Sequence, residues 1–161
     1  LDERYFLYGE DVDLCWKVHL FGGKIIIDRD VYLHHEAGAT SLGHDYKSKF
    51  LIPFNRRYNA EKNAICNMIK NYSLLSLIII TPYYLFIFLL EFLYYIFTGN
   101  FKMSLHLLKA IIWNFNNLSL SLKLRRKIQS KRKVGDLYIF KRMNIIANKF
   151  KYLRLGLPKF K

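Results

Sequence analysis

Three carboxylates stand close together near the start of the sequence, at Glu10, Asp11 and Asp13, in the stretch YFLYGEDVDLCWK. Large apolar and aromatic side chains lie on both sides of them. An acid in such surroundings can serve as a general base, because partial burial tunes its pKa and a positioned carboxylate can accept a proton from a reacting group. Acids in the first turn of a helix also complement the helix dipole. The pattern leaves both interpretations open, a catalytic base and a helix start.

Two adjacent histidines, His34 and His35, form a second group that could do chemistry. They end a predicted strand, where successive side chains face opposite sides, so the two must point away from each other. Ligand sites in open α/β sheets gather at the carboxyl ends of strands. The chain has no HExxH or similar pattern, which argues against a zinc hydrolase. The alternative is a structural role for both histidines.

The elements that must position these residues follow from hydrophobic spacing. Between Glu10 and Leu20 one helical face carries the apolar positions Val12, Cys15, Trp16 and Val18. The glycine pair that follows predicts the end of the helix. KIIID at 24–28 and VYLHH at 31–35 predict two short strands separated by the charged turn DRD. A second helical pattern runs from about Lys47 to Tyr72. Residues 1–72 are therefore predicted to be globular, with both helices and strands.

The net charge of +14 belongs to one end of the chain. Residues 1–72 contain ten basic and ten acidic residues, whereas residues 98–161 contain sixteen basic residues and one acid, Asp136. The two cysteines, Cys15 and Cys66, form no CxxC pattern. This fits reduced thiols in a cytoplasmic compartment and excludes a disulfide scaffold and a cysteine zinc site.

Residues 74–97 form an apolar segment with a single charge, Glu91. As a helix the segment would span about 36 Å, enough to cross the hydrocarbon core of a bilayer. A buried core helix is the alternative, but such helices seldom stay apolar on every face over this length. Pro82 predicts a kink or a hairpin within the membrane, and Glu91 is placed to reach an interface or to pair with a neighbour. We predict a transmembrane or membrane-hairpin helix over residues 73–98.

Residues 99–161 are predicted to form an amphipathic helix and a basic cytoplasmic tail. Within 101–122, polar and apolar positions oppose each other, which suits a helix lying in the membrane interface. The following run, KLRRKIQSKRK, indicates a cytoplasmic anchor attracted to anionic lipid. Nucleic-acid binding by the tail is a less favoured alternative, since no RNA- or DNA-binding motif accompanies the charge. If both ends of the chain are cytoplasmic, the membrane is crossed an even number of times or only dipped into.

Three segments carry a resemblance to a known family: LDERYFLYGEDVDLCWK, GGKIIIDRDVYLHHEAGATS and YNAEKNAICNMIKNYS. In this order and spacing they resemble the C-terminal half of the catalytic domain of family 2 glycosyltransferases, in particular rhamnosyltransferase-like members. The first is similar to the family pattern D-E-x-F-F-x-Y-x-E-D-V-D-L. The second is similar to its His-x-x-Gly-x-Ser/Thr element, with His35, Gly38 and Thr40, and the third to its Arg/Lys-Asn helix. The resemblance covers residues 1–72.

The resemblance implies an α/β fold, namely the C-terminal part of a GT-A, Rossmann-like glycosyltransferase domain followed by membrane-associated helices. It assigns Asp11 as the catalytic base, which deprotonates the acceptor hydroxyl in an inverting transfer. Glu10, Tyr8 and Lys17 are implied to bind acceptor or substrate. His35 is implied to bind a divalent metal, Mg²⁺ or Mn²⁺, that bridges the phosphates of the donor.

The implied function is transfer of a sugar from a nucleotide-sugar donor to a lipid-linked glycan or polysaccharide acceptor, at the cytoplasmic face of the cell membrane. Membrane lipid is the partner expected for residues 74–97 and the basic tail, and no nucleic acid is expected. The nucleotide-binding half of the family is missing from the sequence, and no Asp-x-Asp motif ends a predicted strand, since DVD opens a helix and DRD lies in a turn. We therefore expect the chain to be the C-terminal piece of a longer protein, inactive alone. The alternative is a non-enzymatic membrane-anchored binding module, in which the acids begin a helix and the histidines lie in a core.

Overall fold

A computed structural model describes residues 1–28, 30–32, 51–52, 54–142 and 159–160. Helices dominate this part of the chain. They are α1 (Glu10–Leu20), α2 (Phe54–Asn71), α3 (Leu74–Phe97), α4 (Phe101–Asn116), α5 (Leu118–Ser130) and α6 (Asp136–Phe140). Two strands of two residues each, β1 (Leu51–Ile52) and β2 (Lys159–Phe160), pair in parallel, with Leu51 opposite Lys159 and Ile52 opposite Phe160.

The α/β fold implied by the resemblance is wrong, because the described chain is helical and shows no Rossmann-like sheet. Residues 24–28, predicted as a strand, have no regular structure. Their central side chains are open to solvent, with Ile26 84% exposed and Ile27 88% exposed. β-Branched residues favour a strand only where a neighbouring strand and a covering layer take up their hydrogen bonds and side chains. No strand pairs with this segment among the described residues, so its composition alone was misleading.

The second predicted strand, at 31–35, is only partly visible. Val31 and Tyr32 are described, and they belong to no strand and are exposed. The remaining residues, which include His34 and His35, lie outside the described residues.

Helix α1 has the predicted bounds, but of the predicted apolar face only Trp16 is fully buried. It lies between two glycines in the left-handed region, Gly9 with φ of 86° and Gly22 with φ of 81°. Val12 and Cys15, predicted to share the buried apolar face, are both exposed. The side chains that α1 buries are Asp13, Trp16 and Leu20. One of the three acids therefore points into the protein.

An apolar core joins α1 to α5 and α6. Trp16 and Leu20 of α1 pack with Ile128 of α5 and Ile139 of α6. The ring of Tyr72, just after α2, meets the Trp16 ring edge-on with 4.6 Å between the ring centres. This core fixes the helix whose first turn carries the candidate acids.

Helix α2 is central, because α4 and α5 pack along it and α1 lies against it. The apolar Ile65 and Ile69 at helical spacing are only partly buried. Side chains of α5 satisfy the carbonyls left open at the C-terminal end of α2: Arg125 and Gln129 donate to backbone oxygens within residues 69–72. The buried face of α2 is mostly polar and comprises Glu61, Lys62, Asn63, Cys66, Asn67, Lys70 and Asn71.

Helix α3 is continuous from Leu74 to Phe97 and passes through Pro82 without a break. By length and composition it could cross a membrane, and little of it is buried inside the protein. A short turn with Gly99 at φ of 73° leads into α4, which packs back against α3. The buried apolar side chains of this contact are Phe88, Tyr95, Met103 and Leu107.

Candidate active site

A strained turn sets the start of α1. Tyr8 has φ of 69°, a left-handed conformation that is unfavourable for a bulky side chain, and Gly9 follows at φ of 86°. Two amides of α2 hold the turn. The Asn63 side chain donates to the carbonyls of Leu7 and Tyr8 at 3.0 and 2.6 Å, and that of Asn67 donates to Gly9 O at 3.0 Å. Strain held by the surroundings in this way is typical of functional sites.

Asp11 lies in the first turn of α1, directly after this turn, and its side chain is exposed. One carboxylate oxygen accepts the Val12 backbone N–H at 2.8 Å. Asp11 borders a surface cleft of about 240 Å³. The cleft is lined by Asp11, Val12, Cys15, Trp16, His19, Ile139 and Arg142. An accessible carboxylate thus lies beside a cation and aromatic groups.

Two residues of the cleft carry ring nitrogens that lack a hydrogen-bond partner among the described residues. They are Trp16 Nε1 and His19 Nδ1, both shielded from water. Buried polar atoms are usually satisfied, so each exception calls for a physical explanation.

Glu10 and Tyr8, both implied as substrate-binding residues, lie on either side of Gly9. The Glu10 side chain is partly buried, and its Oε2 atom has no partner in the described part of the chain. The Tyr8 ring is partly buried under the guanidinium of Arg56, whose Cζ lies 5.2 Å from the ring centre. The structure therefore brings Tyr8, Glu10 and Asp11 together at the N-terminal end of α1.

Asp13 lies on the opposite side of α1 from Asp11 and is fully buried. Its Oδ2 atom is 2.5 Å from Lys17 Nζ and 3.3 Å from Lys70 Nζ, and its Oδ1 atom accepts the Asn71 amide at 2.9 Å. All of its partners are protein groups, so Asp13 holds α1 against α2. Lys17, implied as a substrate-binding residue, is one of these partners and forms an ion pair with Asp13 rather than pointing into the cleft.

The ion-pair network continues to the first residues of the chain. Lys70 Nζ also contacts Asp2 Oδ2 at 2.7 Å, and Arg4 donates to both oxygens of Asp2 at 2.9 and 2.7 Å. Burial acts to raise the pKa of the Asp2 carboxyl, but hydrogen bonds from Arg4 and Lys70 outweigh it and hold that pKa well below its usual range. The segment before α1 is thus fixed by charge as well as by the amides of Asn63 and Asn67.

The implied metal ligand, His35, lies outside the described residues. Within the part of the chain that is described, no group of three or more His, Cys, Asp or Glu side chains could hold a metal ion. The divalent metal therefore stays a prediction that rests on His35.

Sequence reasoning missed the residues of α2 that hold the site. Asn63, Asn67, Lys70 and Asn71 recur at spacings of three and four residues, which places them on one helical face. This polar stripe is visible in the sequence, but the helix was predicted from the apolar residues that lie between its members. His19 and Arg142 of the cleft left no comparable signal, since 123 positions separate them.

Searches of protein-family models, of curated proteins and of solved structures found no match to this chain.

Proposed function

We propose that this chain supplies the acceptor side of an inverting glycosyltransferase that works at the cytoplasmic face of a membrane. The observation that carries the proposal is the exposed Asp11 carboxylate at the edge of the cleft, directly after the strained turn at Tyr8 and Gly9. Asp13 is unsuited to the role because its oxygens are occupied by Lys17, Lys70 and Asn71. The proposal is based on the residues of the site, because the helical fold does not support a glycosyltransferase assignment.

In the proposed reaction Asp11 accepts the proton of an acceptor hydroxyl. The hydroxyl oxygen forms a bond to the anomeric carbon of the donor sugar while the bond from that carbon to the nucleoside diphosphate breaks. The diphosphate leaves with the bonding electron pair, and the configuration at the anomeric carbon inverts. A carboxylate suffices as the base, because the hydroxyl becomes more acidic as it bonds to a carbon that develops positive charge.

The surroundings of Asp11 suit this task in two ways. Its neighbouring N–H group at Val12 holds one oxygen, so the carboxylate has a defined orientation. The partly buried His19 offers a polar ring to a sugar within the same cleft. Glu10 and Tyr8, at the same end of α1, are proposed to position the acceptor.

The donor is proposed to be a nucleotide sugar, and the acceptor a lipid-linked glycan or polysaccharide. The support for a lipid-linked acceptor is helix α3, which is apolar and mostly unburied by protein. A chain bound at the membrane surface lies close to the headgroup layer, where a lipid carrier presents its attached glycan. The cytoplasmic side is favoured by the concentration of basic residues after residue 98.

A non-enzymatic membrane-anchored binding module is the second candidate. One observation favours it: Asp11 accepts a backbone N–H of its own helix, so an N-terminal structural role accounts for part of its side chain.

The test is Asp11→Asn in the longest form of the protein that the gene encodes, with Glu3→Gln as the matched control. Both residues are exposed acids near the N-terminal end, and Glu3 is not among the cleft residues. Membranes containing each variant would be incubated with a panel of radiolabelled nucleotide sugars, and label in the lipid extract and polymer would be counted. We expect Asp11→Asn to lower the transfer rate by about 10²-fold or more and Glu3→Gln to leave it unchanged. Transfer that survives Asp11→Asn would refute Asp11 as the base, and absence of transfer in the unaltered protein would favour the binding module.

A further inference from the structure

The α3–α4 hairpin exposes apolar side chains on its outer faces. None of the exposed residues of α3 carries a charge. In α4 the exposed apolar residues recur every three or four positions and form one stripe. This apolar face includes Ile79, Phe86 and Leu90 of α3 and Leu105, Ile112 and Phe115 of α4, each at least half exposed.

Three polar residues of α3 lie on its other side. Tyr84, Glu91 and Tyr95 share one face by helical spacing, and this face meets the N-terminal half of α2. Both carboxylate oxygens of Glu91 contact Arg57 Nη2, at 2.6 and 2.7 Å, and the same guanidinium nitrogen lies 2.8 Å from Glu61. The hydroxyl of Tyr84 donates to Glu61 and that of Tyr95 to Glu91. Helix α3 is therefore two-sided, although its composition is almost wholly apolar.

These contacts fix the direction of α2 relative to α3. The C-terminal end of α2 is followed directly by the start of α3, at residues 71–74. Measured along the helix axes from this connection, Arg57 lies about 21 Å back along α2 and Glu91 about 26 Å along α3. The two helices therefore run side by side in opposite directions. Whatever depth α3 reaches in a membrane, the start of α2 must reach it as well. Arg56, which is exposed at that end of α2, would then lie within the hydrocarbon if α3 crossed the bilayer.

Basic side chains border the apolar face. Lys102 and Lys109 lie along one edge of the α4 stripe by helical geometry. Helix α5 and the residues after it add exposed cations, namely Lys123, Arg126, Lys127, Lys131 and Lys133. An apolar stripe with cations at its border is the pattern of a helix that lies in the interface of a membrane with anionic headgroups.

We infer that α3 and α4 lie in the plane of a single leaflet and do not cross the bilayer. The apolar face is immersed among acyl chains, the bordering lysines contact anionic headgroups, and the Arg57–Glu61–Glu91 cluster stays on the protein side. The inference rests on the membrane association included in the proposed function, and it names anionic lipid as the partner of this surface. It makes the chain a one-sided membrane protein, with α2 lying above the hairpin.

The test uses single cysteines and a membrane-impermeant maleimide. The background is Cys15→Ser, in which the remaining Cys66 is buried, and this background alone is the control for residual labelling. Three variants are added one at a time: Thr98→Cys in the exposed turn, Lys109→Cys at the border and Ile112→Cys on the apolar face. Each variant is expressed in cells and labelled in sealed vesicles of both orientations. The unaltered protein is labelled in parallel, and its exposed Cys15 reports the side of the membrane on which α1 lies.

We expect Thr98→Cys and Lys109→Cys to react in the vesicle orientation in which Cys15 reacts, and Ile112→Cys to react in neither. A helix that crosses the membrane would give the opposite result at the turn, since Thr98→Cys would react only from the other side and Lys109→Cys from neither. A chain that does not bind membrane would appear in the soluble fraction with all three positions reactive. Either of these outcomes overturns the inference.

A second measurement distinguishes lipid from protein as the cover of the apolar face. A fluorophore attached to Ile112→Cys should be quenched at least twofold by lipids that carry a spin label. An unquenched fluorophore would show that another protein, or a second copy of this chain, covers the face, and would overturn the inference. Sugar transfer is not read in these experiments, so failure of the glycosyltransferase proposal and failure of the in-plane arrangement give different results.

Discussion

At the scale of single residues, the acidic cluster separates into two roles. Asp11 and Asp13 are two positions apart, so they point to opposite sides of α1. Asp11 faces the surface beside the cleft, whereas Asp13 is fully buried among Lys17, Lys70 and Asn71. The sequence predicted a group of acids that could begin a helix and supply a base. It could not show which acid is buried, because Lys70 lies 57 positions from Asp13 along the chain.

Replacement of the buried cation tests the network directly. Lys70→Met leaves the buried carboxylates of Asp2 and Asp13 without the cation that joins them, and we expect a loss of about 3–5 kcal/mol in the free energy of unfolding. The measurement is tryptophan fluorescence during denaturant unfolding in detergent micelles. Trp16 lies in the core of α1 and reports its separation from α5 and α6.

Lys17→Met is the control for this substitution. Lys17 binds the same Asp13 carboxylate but is partly exposed, so solvent screens it, and we expect a loss of no more than about 1 kcal/mol. Equal losses for the two variants would show that Asp13 alone, and not its bridge to Asp2, fixes α1. Such a result would contradict a structural role for Lys70.

At the scale of elements, the sequence predicted what depends on nearby residues. The bounds of α1 follow from the acids of its first turn and the glycines after it, and those of α3 follow from an uninterrupted apolar run after Ser73. The strand at 24–28 was wrong because a strand needs a partner, which its own composition cannot supply. The buried face of α2 was missed for a similar reason: polar residues are buried there only because distant charges and carbonyls satisfy them.

One contact between elements gives a prediction about pH. The Asp136 carboxylate, at the start of α6, accepts the backbone N–H of Ser73 at 2.8 Å and pairs with Arg132. Burial acts to raise the pKa of Asp136, but hydrogen bonds from Ser73 and Ser76 and the pairing with Arg132 outweigh it, so its folded-state pKa is lowered. The stabilisation is therefore fully present above the unfolded pKa of about 3.9 and is lost as the pH falls through the lower folded pKa.

Asp136→Asn should remove this pH-dependent part of the stability. We expect the variant to lose about 1–3 kcal/mol at pH 7, because the hydrogen bonds to a charged group are weakened. The difference between the two proteins should shrink as the pH falls below about 4, since Asp136 of the unfolded chain then becomes protonated. It should disappear once the pH is below the lowered pKa of folded Asp136. Unfolding curves measured from pH 7 to pH 2.5 would check this, and a difference that stays constant with pH would show that the Asp136 charge is not the stabilising feature.

At the scale of the whole molecule, α2 connects the candidate site to α3, the helix that is long and apolar enough to cross a membrane. Its C-terminal half holds α1 through Asn63, Asn67 and Lys70, and its N-terminal half holds α3 through Arg57. Composition could predict that residues 74–97 associate with a membrane. It could not predict that Glu91 would be paired with a cation 34 positions earlier in the chain, or that this pairing would leave one side of α3 uncovered by protein.

The pairing of Arg57 with Glu91 decides whether this connection is rigid, and a double-mutant cycle measures it. Arg57→Met should destabilise the protein because Glu61 and Glu91 lose the cation between them in a partly buried site. Glu91→Met should do so because Arg57 loses one of its two carboxylate partners. The double substitution should cost less than the sum of the two, with a coupling energy of about 1–3 kcal/mol in unfolding experiments in micelles.

Arg56→Met combined with Glu91→Met is the control. Arg56 stacks on Tyr8, so its coupling to Glu91 should be near zero. Additive losses for Arg57 and Glu91 would mean that α3 moves independently of α2, and the candidate site would then have no fixed distance from the membrane.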